Sequence, residues 1–374
     1  MQAPPFQLDD DILYLNHAAV SPWPRASVEA VCAFAQENGH RGSRHYPRWL
    51  RTEQALRERL ARLIGVPDTR GIALLKNTSE ALSLVAGGLD WQPGDEVLIP
   101  ADEFASNRIV WEALAPQGVR VREVPPMAEG PPSRAWIEAL GERTRLVAVS
   151  SVHYATGLRL DLEPIGQACR ERGILFCVDA IQSLGALPFD APACNADFVM
   201  ADGHKWMLGP EGLALFWCRP EHLDRLHLQQ YGWHMVEAMG DYARRDWRPA
   251  PDARRFECGS PNMLGIHALH ASLGLLLETG IPAIFNKLSR NIDYLIDLID
   301  SKGGVLLSAR PPESRAGIVT FRHPREEPGR TWERLQAANV MCALRGGGIR
   351  FSPHFYTSFQ VIEKAVEIAL SGED

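Results

Sequence analysis

The chain has 374 residues, 45 % hydrophobic and 23 % charged, with a net charge of −7. This is enough for one large and one small globular unit, and it implies no basic face for nucleic acid. No apolar run approaches a membrane-spanning length. The opening Met1-Gln2-Ala3-Pro4-Pro5 lacks the charged and apolar regions of a secretory leader, so the cytoplasm is the expected compartment.

In chain order, residues 1–20 read as an N-terminal segment packing near a site. Trp49, Leu50, Leu56, Leu60, Leu63 and Ile64 fall at helical spacing over Arg48 to Ile64, and Gly65 and Pro67 stop that helix. Short apolar runs then alternate with helix-like stretches: Gly71 to Leu75, Glu96 to Pro100, Val119 to Val124, Leu146 to Val152, Ile174 to Asp179, Phe198 to Met200 and Leu213 to Trp217. Alternation of doubly apolar strands with stretches such as Leu162 to Arg172 predicts an α/β fold with a mostly parallel sheet covered by helices. The last two runs form an antiparallel pair or stand apart. Asp241 to Phe256 reads as a long loop, followed by helices over about 266–278 and 281–299. Strand-like Gly317 to Phe321 and Val340 to Leu344, with helix-like Thr331 to Ala338 and Gln360 to Leu370, predict a small α+β unit. The expected division is a large domain over 21–262 and a small one over 263–374.

The informative residue is Lys205, in Gly203-His204-Lys205-Trp206. Upstream, an apolar strand ends in Asp179, and Gln182 follows three residues later. A lysine amine that can hold an aldehyde as a Schiff base, with an acid to keep a pyridine nitrogen protonated, is what pyridoxal 5′-phosphate chemistry needs. Singly, such a lysine is a solvated charge and such an acid a turn cap; the ordered set favours the cofactor.

Asn77, Thr78 and Ser79 follow the first strand and open a helix, a setting for an anion or for a plain N-cap. Phe104 could stack on a flat ring or fill the core. His204 could meet a phosphate or cap a loop, and Arg350 could grip a carboxylate bidentately. Tyr154, Tyr231, Trp233 and His234 are candidate pocket residues, with core or loop packing as the alternative. The seven cysteines are scattered with no CxxC pair, so neither a metal site nor a redox motif is expected. No GxGxxG follows a strand, which argues against a nicotinamide enzyme.

Together these motifs resemble the class V aminotransferase group of fold-type I pyridoxal phosphate enzymes, which includes cysteine desulfurases, selenocysteine lyases and isopenicillin N epimerase-like proteins. The likeness covers nearly the whole chain: Tyr14 to Ala19, His40-Arg41-Gly42, Asn77 to Glu80, Val178 to Gln182, Gly203 to Trp206, Phe256 to Asn262 and Arg350 to Tyr356. It implies Lys205 as the Schiff-base lysine, Asp179 as the pyridinium partner and Gln182 as the donor to the ring oxygen. It further implies Thr78 and His204 as phosphate ligands, Phe104 as the stacking residue and Arg350 as the substrate-carboxylate arginine. Ser260 is similar to a residue that reaches the neighbouring subunit's phosphate, which implies a homodimer with sites at the interface.

Three positions depart from the desulfurase pattern. Asp202 stands where a phosphate-binding Ser or Thr is usual; an acid beside a dianion is unfavourable, so its carboxylate is expected to point elsewhere. Tyr154 replaces a ring-contacting Asn. Residues 343–350 are short and hold no cysteine where desulfurases carry a persulfide-forming loop. The favoured activity is therefore an aminotransferase or a C–S/C–Se lyase acting at Cα of an amino acid. The alternatives are an epimerase, a desulfurase using Cys258 or Cys342, and a non-catalytic cofactor-binding regulatory protein.

Overall fold

In the computed structural model, which describes residues 5–125 and 132–371, a seven-stranded sheet organises most of the chain. The first elements are β1 (Leu13–Tyr14), α1 (Arg25–Arg41), α2 (Tyr46–Leu63), β2 (Ile72–Leu75), α3 (Thr78–Gly88), β3 (Glu96–Pro100), α4 (Ser106–Glu112) and β4 (Arg120–Val124). Next come α5 (Pro132–Ala139), β5 (Thr144–Ser150), α6 (Leu162–Glu171), β6 (Leu175–Asp179), β7 (Phe198–Asp202) and β8 (Ala214–Cys218). The chain closes with α7 (Met263–Thr279), α8 (Ile281–Ser301), β9 (Val305–Leu306), β10 (Val319–Arg322), α9 (Pro328–Ala337), β11 (Val340–Met341), β12 (Ala343–Arg345), β13 (Gly348–Phe351) and α10 (Phe359–Leu370). The expected N-terminal segment begins, and the expected small domain ends, outside the described residues.

The large sheet runs β2-β8-β7-β6-β5-β3-β4. All strands share one direction except β8, which is antiparallel to both β2 and β7. The reason is the connection: no helix separates Asp202 from Ala214, and a parallel return needs a crossover. All seven expected runs form this sheet.

Strand β6 shows why both faces are covered. Phe176 and Val178 join a cluster with Leu56, Leu60, Ile165 and Leu273, while Leu175 and Cys177 join Leu82, Val85, Trp111 and Phe216 on the other face. Successive side chains point to opposite faces, so a strand between two helical layers must be apolar throughout.

A third cluster joins Leu288 and Leu295 of α8 to Phe321, Ile349, Phe351 and Val366, around the four-stranded sheet β12-β13-β10-β9. Leu15 and Ala18 belong to it, and β1 pairs in parallel with β11. The N-terminal segment thus packs on the C-terminal layer. The expected strand 340–344 is broken at Cys342 into β11 and β12. Helix α1 has no counterpart in the sequence pattern, because only Ser27 and Phe34 along it are buried and its apolar stripe is too sparse to show. Among the described residues no single helix is long and apolar enough to cross a membrane.

Candidate functional site

Because β2, β3, β5, β6 and β7 run together, their last residues lie along one edge, where α/β sheets place ligands. Asp179 ends β6 with its side chain buried and accepts a hydrogen bond from the Ile181 N–H at 2.9 Å. Burial pushes its carboxyl up to about 7; the Ile181 bond and the Lys205 charge oppose that, and the Glu103 charge adds to it.

Lys205 sits in the loop after β7. The loop folds back through Leu208 N–H to Lys205 O at 3.0 Å and Gly209 N–H to Gly203 O at 2.8 Å. Leu208 takes a φ of +59°, a left-handed conformation that side chains avoid and that functional loops tolerate. Gly185 lets the loop pack: a Cβ there would lie 2.1 Å from Trp206 O. Trp206 is buried and donates to Gln182 Oε1 at 2.8 Å, while Gln182 Nε2 donates to Ala18 O at 3.1 Å. One Nε2 hydrogen of Gln182 is left for another acceptor. Burial lowers the Lys205 amine to about 8, opposed by Asp179 and reinforced by Arg350.

At the start of α3, Thr78 Oγ1 accepts the Asp202 N–H at 3.0 Å. His204 Nδ1 lies 2.9 Å from Asp202 Oδ1. Asn77 caps the helix, its Oδ1 accepting the Glu80 N–H at 2.8 Å, so its side chain takes the plain capping role. Ser79 Oγ donates to Ser106 Oγ at 2.8 Å, which ties α3 to α4.

Opposite, Arg350 Nη1 donates to Tyr154 O at 2.6 Å, while its buried Nε has no hydrogen-bond partner among the described residues. Burial lowers its guanidinium to about 10, helped by the Arg345 charge. The Tyr154 ring meets Phe104 edge-on at 5.3 Å between centroids, and Lys205 Nζ lies 5.8 Å from the Phe104 ring centre. Lys205, Asp179, Gln182, Thr78, His204, Phe104, Tyr154 and Arg350 therefore converge.

Three candidates, Tyr231, Trp233 and Ser260, stand apart within one chain. Trp233 lines a 420 Å³ cavity with Tyr231, Tyr242 and Trp247. Ser260 is exposed in a separate groove with Glu80, Gln230 and Cys258. His234 takes the packing alternative: it is buried, 3.7 Å from the Glu257 carboxylate.

Sequence reasoning gave no role to Glu103. Its buried carboxylate accepts from Phe104 N, Ser150 N, Ser150 Oγ and Asn107 Nδ2 at 2.7–3.1 Å, which fixes the loop that carries Phe104. An acid beside a strand end was its only signal. Residues 346–347 form a two-residue hairpin between β12 and β13, with φ of +59° and +75° and Arg345 paired to Gly348. Glycine enters this positive-φ turn without strain. Cys342 is buried, with its thiol raised to about 12 by burial. Cys258 is half-buried, its Sγ 3.2 Å from Gln230 Oε1.

The described residues fit a pyridoxal phosphate ligand on their own chemistry. A desolvated amine and a desolvated acid share the sheet edge, and Arg350 Nε, His204 Nδ1 and Asp202 Oδ1 are buried without well-aligned hydrogen bonds. Comparison with known proteins agrees. The chain is 32 % identical to isopenicillin N epimerase of Streptomyces clavuligerus, over 98 % of this chain and 96 % of that protein. It is 31 % identical to a probable cysteine desulfurase of Methanothermobacter thermautotrophicus, over 94 % and 92 %. The fold matches that of the cystine C–S lyase C-DES, solved with its product cysteine persulfide, at a TM-score of 0.87 and 24 % identity, covering 96 % of this chain and 98 % of that one. The model of the aminotransferase class V family matches residues 13–356, a span that takes in every converging residue from Thr78 to Arg350, and the chain belongs to that family of pyridoxal phosphate enzymes.

Proposed function

We propose that this enzyme acts at Cα of an amino acid, as an aminotransferase or as a lyase that breaks a Cβ–S or Cβ–Se bond without forming a protein persulfide. The observation that carries the first half is the convergence of the Lys205 amine, the buried Asp179 carboxyl at the end of β6 and the Arg350 guanidinium on one edge of the sheet, around Phe104 and Tyr154. The second half rests on the two-residue hairpin at 346–347, which leaves no loop for a transferring thiol.

In this reading Thr78 and His204 hold the cofactor phosphate, and Phe104 covers one ring face. Gln182, fixed by Trp206 and Ala18, offers its remaining amide hydrogen to the ring oxygen. Asp179 faces the ring nitrogen and keeps it protonated. When bound, pyridoxal phosphate would supply the electron sink for the pair released at Cα. Arg350 would receive the substrate carboxylate, and Lys205 would hold the cofactor and serve as the general base that takes and returns the Cα proton. Asn77 and Ser79 support this edge through the start of α3. Tyr154 lines the substrate side, and its partnership with Phe104 keeps water from Cα. The same reading makes the protein a cytoplasmic homodimer with a large domain over 21–262 and a small one over 263–374. Ser260 then serves the partner's phosphate, and Trp233 lines the partner's substrate pocket.

The 32 % identity to an epimerase over 98 % of the chain supports a second reading, reprotonation at Cα from the opposite face. One experiment separates them. Pure protein with pyridoxal phosphate is incubated with each amino acid in heavy water, and the products are identified. Oxo acid with aminated cofactor supports transamination, sulfide or persulfide in solution supports the lyase, and deuterated, inverted amino acid supports epimerisation. Absence of Cα exchange with every amino acid would remove the proposal.

A further inference from the structure

Asp202 is the last residue of β7 and is buried. Its Oδ1 lies 2.9 Å from His204 Nδ1, and neither atom has a well-aligned hydrogen bond among the described residues. Its main-chain N–H donates to Thr78 Oγ1 at 3.0 Å. One residue therefore touches both side chains that the proposed function assigns to the phosphate. The two contacts have the same consequence. A hydroxyl whose lone pair is filled by an N–H turns its own hydrogen outward as a donor. An imidazole whose Nδ1 faces a carboxylate is left with Nε2 for a ligand, as second-layer carboxylates do for metal-bound histidines.

We propose that Asp202 is the positioning residue of a phosphate-monoester site. Its N–H aims the Thr78 hydroxyl, and its carboxylate aims the His204 ring and holds the negative charge against the imidazole instead of against the ester. An imidazole between a carboxylate at Nδ1 and a phosphate at Nε2 faces an acceptor at each nitrogen. His204 then spans the carboxylate and the phosphate, each contact drawing on an anionic acceptor. This explains how an acid can stand where repulsion argues against one. The inference rests on the reading of this edge as a pyridoxal phosphate site.

If Asp202 merely sat near the phosphate, Asp202→Asn would remove a repelling charge and tighten binding. Positioning predicts the opposite. Cofactor-free protein is titrated by equilibrium dialysis with 4-deoxypyridoxine 5′-phosphate, which cannot join Lys205, and with phosphate-free 4-deoxypyridoxine. Asp202→Asn should weaken the phosphorylated ligand about tenfold or more and leave the phosphate-free one within about twofold. The double variant Asp202→Asn/His204→Gln should bind no worse than His204→Gln alone, because both changes break one line of contacts. Asp202→Ala serves if Asp202→Asn does not fold. Unchanged or tighter binding of the phosphorylated ligand, equal loss of both ligands, or additive effects would overturn the proposal. Wild-type protein that fails to prefer the phosphorylated ligand, or leaves Lys205 unlabelled by pyridoxal phosphate and borohydride, would instead defeat the cofactor reading.

Discussion

Arg350 donates from Nη1 to the main-chain oxygen of Tyr154 at 2.6 Å. That bond joins β13 of the C-terminal sheet to the loop after β5 of the large sheet, and it holds the guanidinium by one edge with Nε still unpaired. An arginine fixed in this way presents a fork to a carboxylate, which a lysine cannot reproduce. Arg350→Lys should lower kcat/KM for the amino acid at least about tenfold, the size of one charge-assisted hydrogen bond. Cofactor capture by Lys205 should be unaffected. Equal loss of both, measured by steady-state kinetics and by cofactor absorbance, would show that Arg350 acts through the fold.

The Lys205 amine, held near 8, should attack pyridoxal phosphate at a rate that rises through about pH 8 and then levels, because only the free amine is nucleophilic. Asp179 opposes the lowering, so Asp179→Asn should move that midpoint downward. Stopped-flow absorbance of cofactor-free protein across pH checks both. A midpoint near that of an ordinary lysine, about 10.4, would mean the amine is solvated. Borohydride followed by peptide mapping should place the adduct on Lys205 alone.

Asp179→Ala should leave cofactor attachment possible but slow Cα-proton exchange by more than about tenfold, or ~1.4 kcal/mol of barrier, because a ring without a protonated nitrogen is a poor electron sink. Exchange is read by deuterium incorporation. A smaller loss assigns the acid another role.

A buried ion cluster supplies a stability test. Ligating atoms of Glu53, His234 and Glu257 lie within 4.8 Å of one another, but Arg57 bridges the two carboxylates at 2.6 Å each and also donates to Ile72 O. Glu257 accepts in addition from Leu74 N, so α2, β2 and the segment leading to Ser260 meet here. The carboxylates outweigh burial and raise the guanidinium above its ordinary range. Arg57→Met leaves two buried carboxylates unpaired and should destabilise by about 3–5 kcal/mol, seen as a lower urea midpoint. Little change would mean that water or a cation replaces Arg57.

The fold was legible where burial imposes a pattern. Strands β2, β3 and β5 to β8 are apolar because each lies between helical layers, whereas the edge strand β4 is largely unburied and carries charges; the direction of β8 follows from a connection too short for a crossover. Helix α1 was not legible because it shows little apolar surface to the core. At the site, Asp179 was readable from its strand end, Lys205 and Thr78 from the segments that follow strands, and Arg350 from the strand that carries it. The Asp202 carboxylate was expected to turn away from a phosphate, and its contact with His204 depends on side-chain directions that spacing does not reveal. Glu103 was missed because its signal is its hydrogen bonds. The placement of Trp233 and Ser260 apart from Lys205 involves surfaces that one chain's sequence pattern does not join.

A mobilising desulfurase needs a thiolate that reaches the substrate and then carries the persulfide away. In this chain the turn before Arg350 is closed by Gly346 and Gly347 at positive φ and contains no sulfur. Cys342, between β11 and β12, is buried with its thiol pushed up to about 12, so it is protonated at neutral pH and shielded from attack. Cys258 is the accessible alternative, half-buried near the exposed Ser260. Sulfur release from cysteine or cystine should therefore survive Cys342→Ala and Cys258→Ala with less than about a twofold change, the ordinary scatter of an independent site. Alkylation trapping after turnover, followed by peptide mass spectrometry, should find no persulfide on either residue. A persulfide on Cys258, with turnover lost in Cys258→Ala, would reinstate the desulfurase reading and place its sulfur relay outside the β12–β13 hairpin.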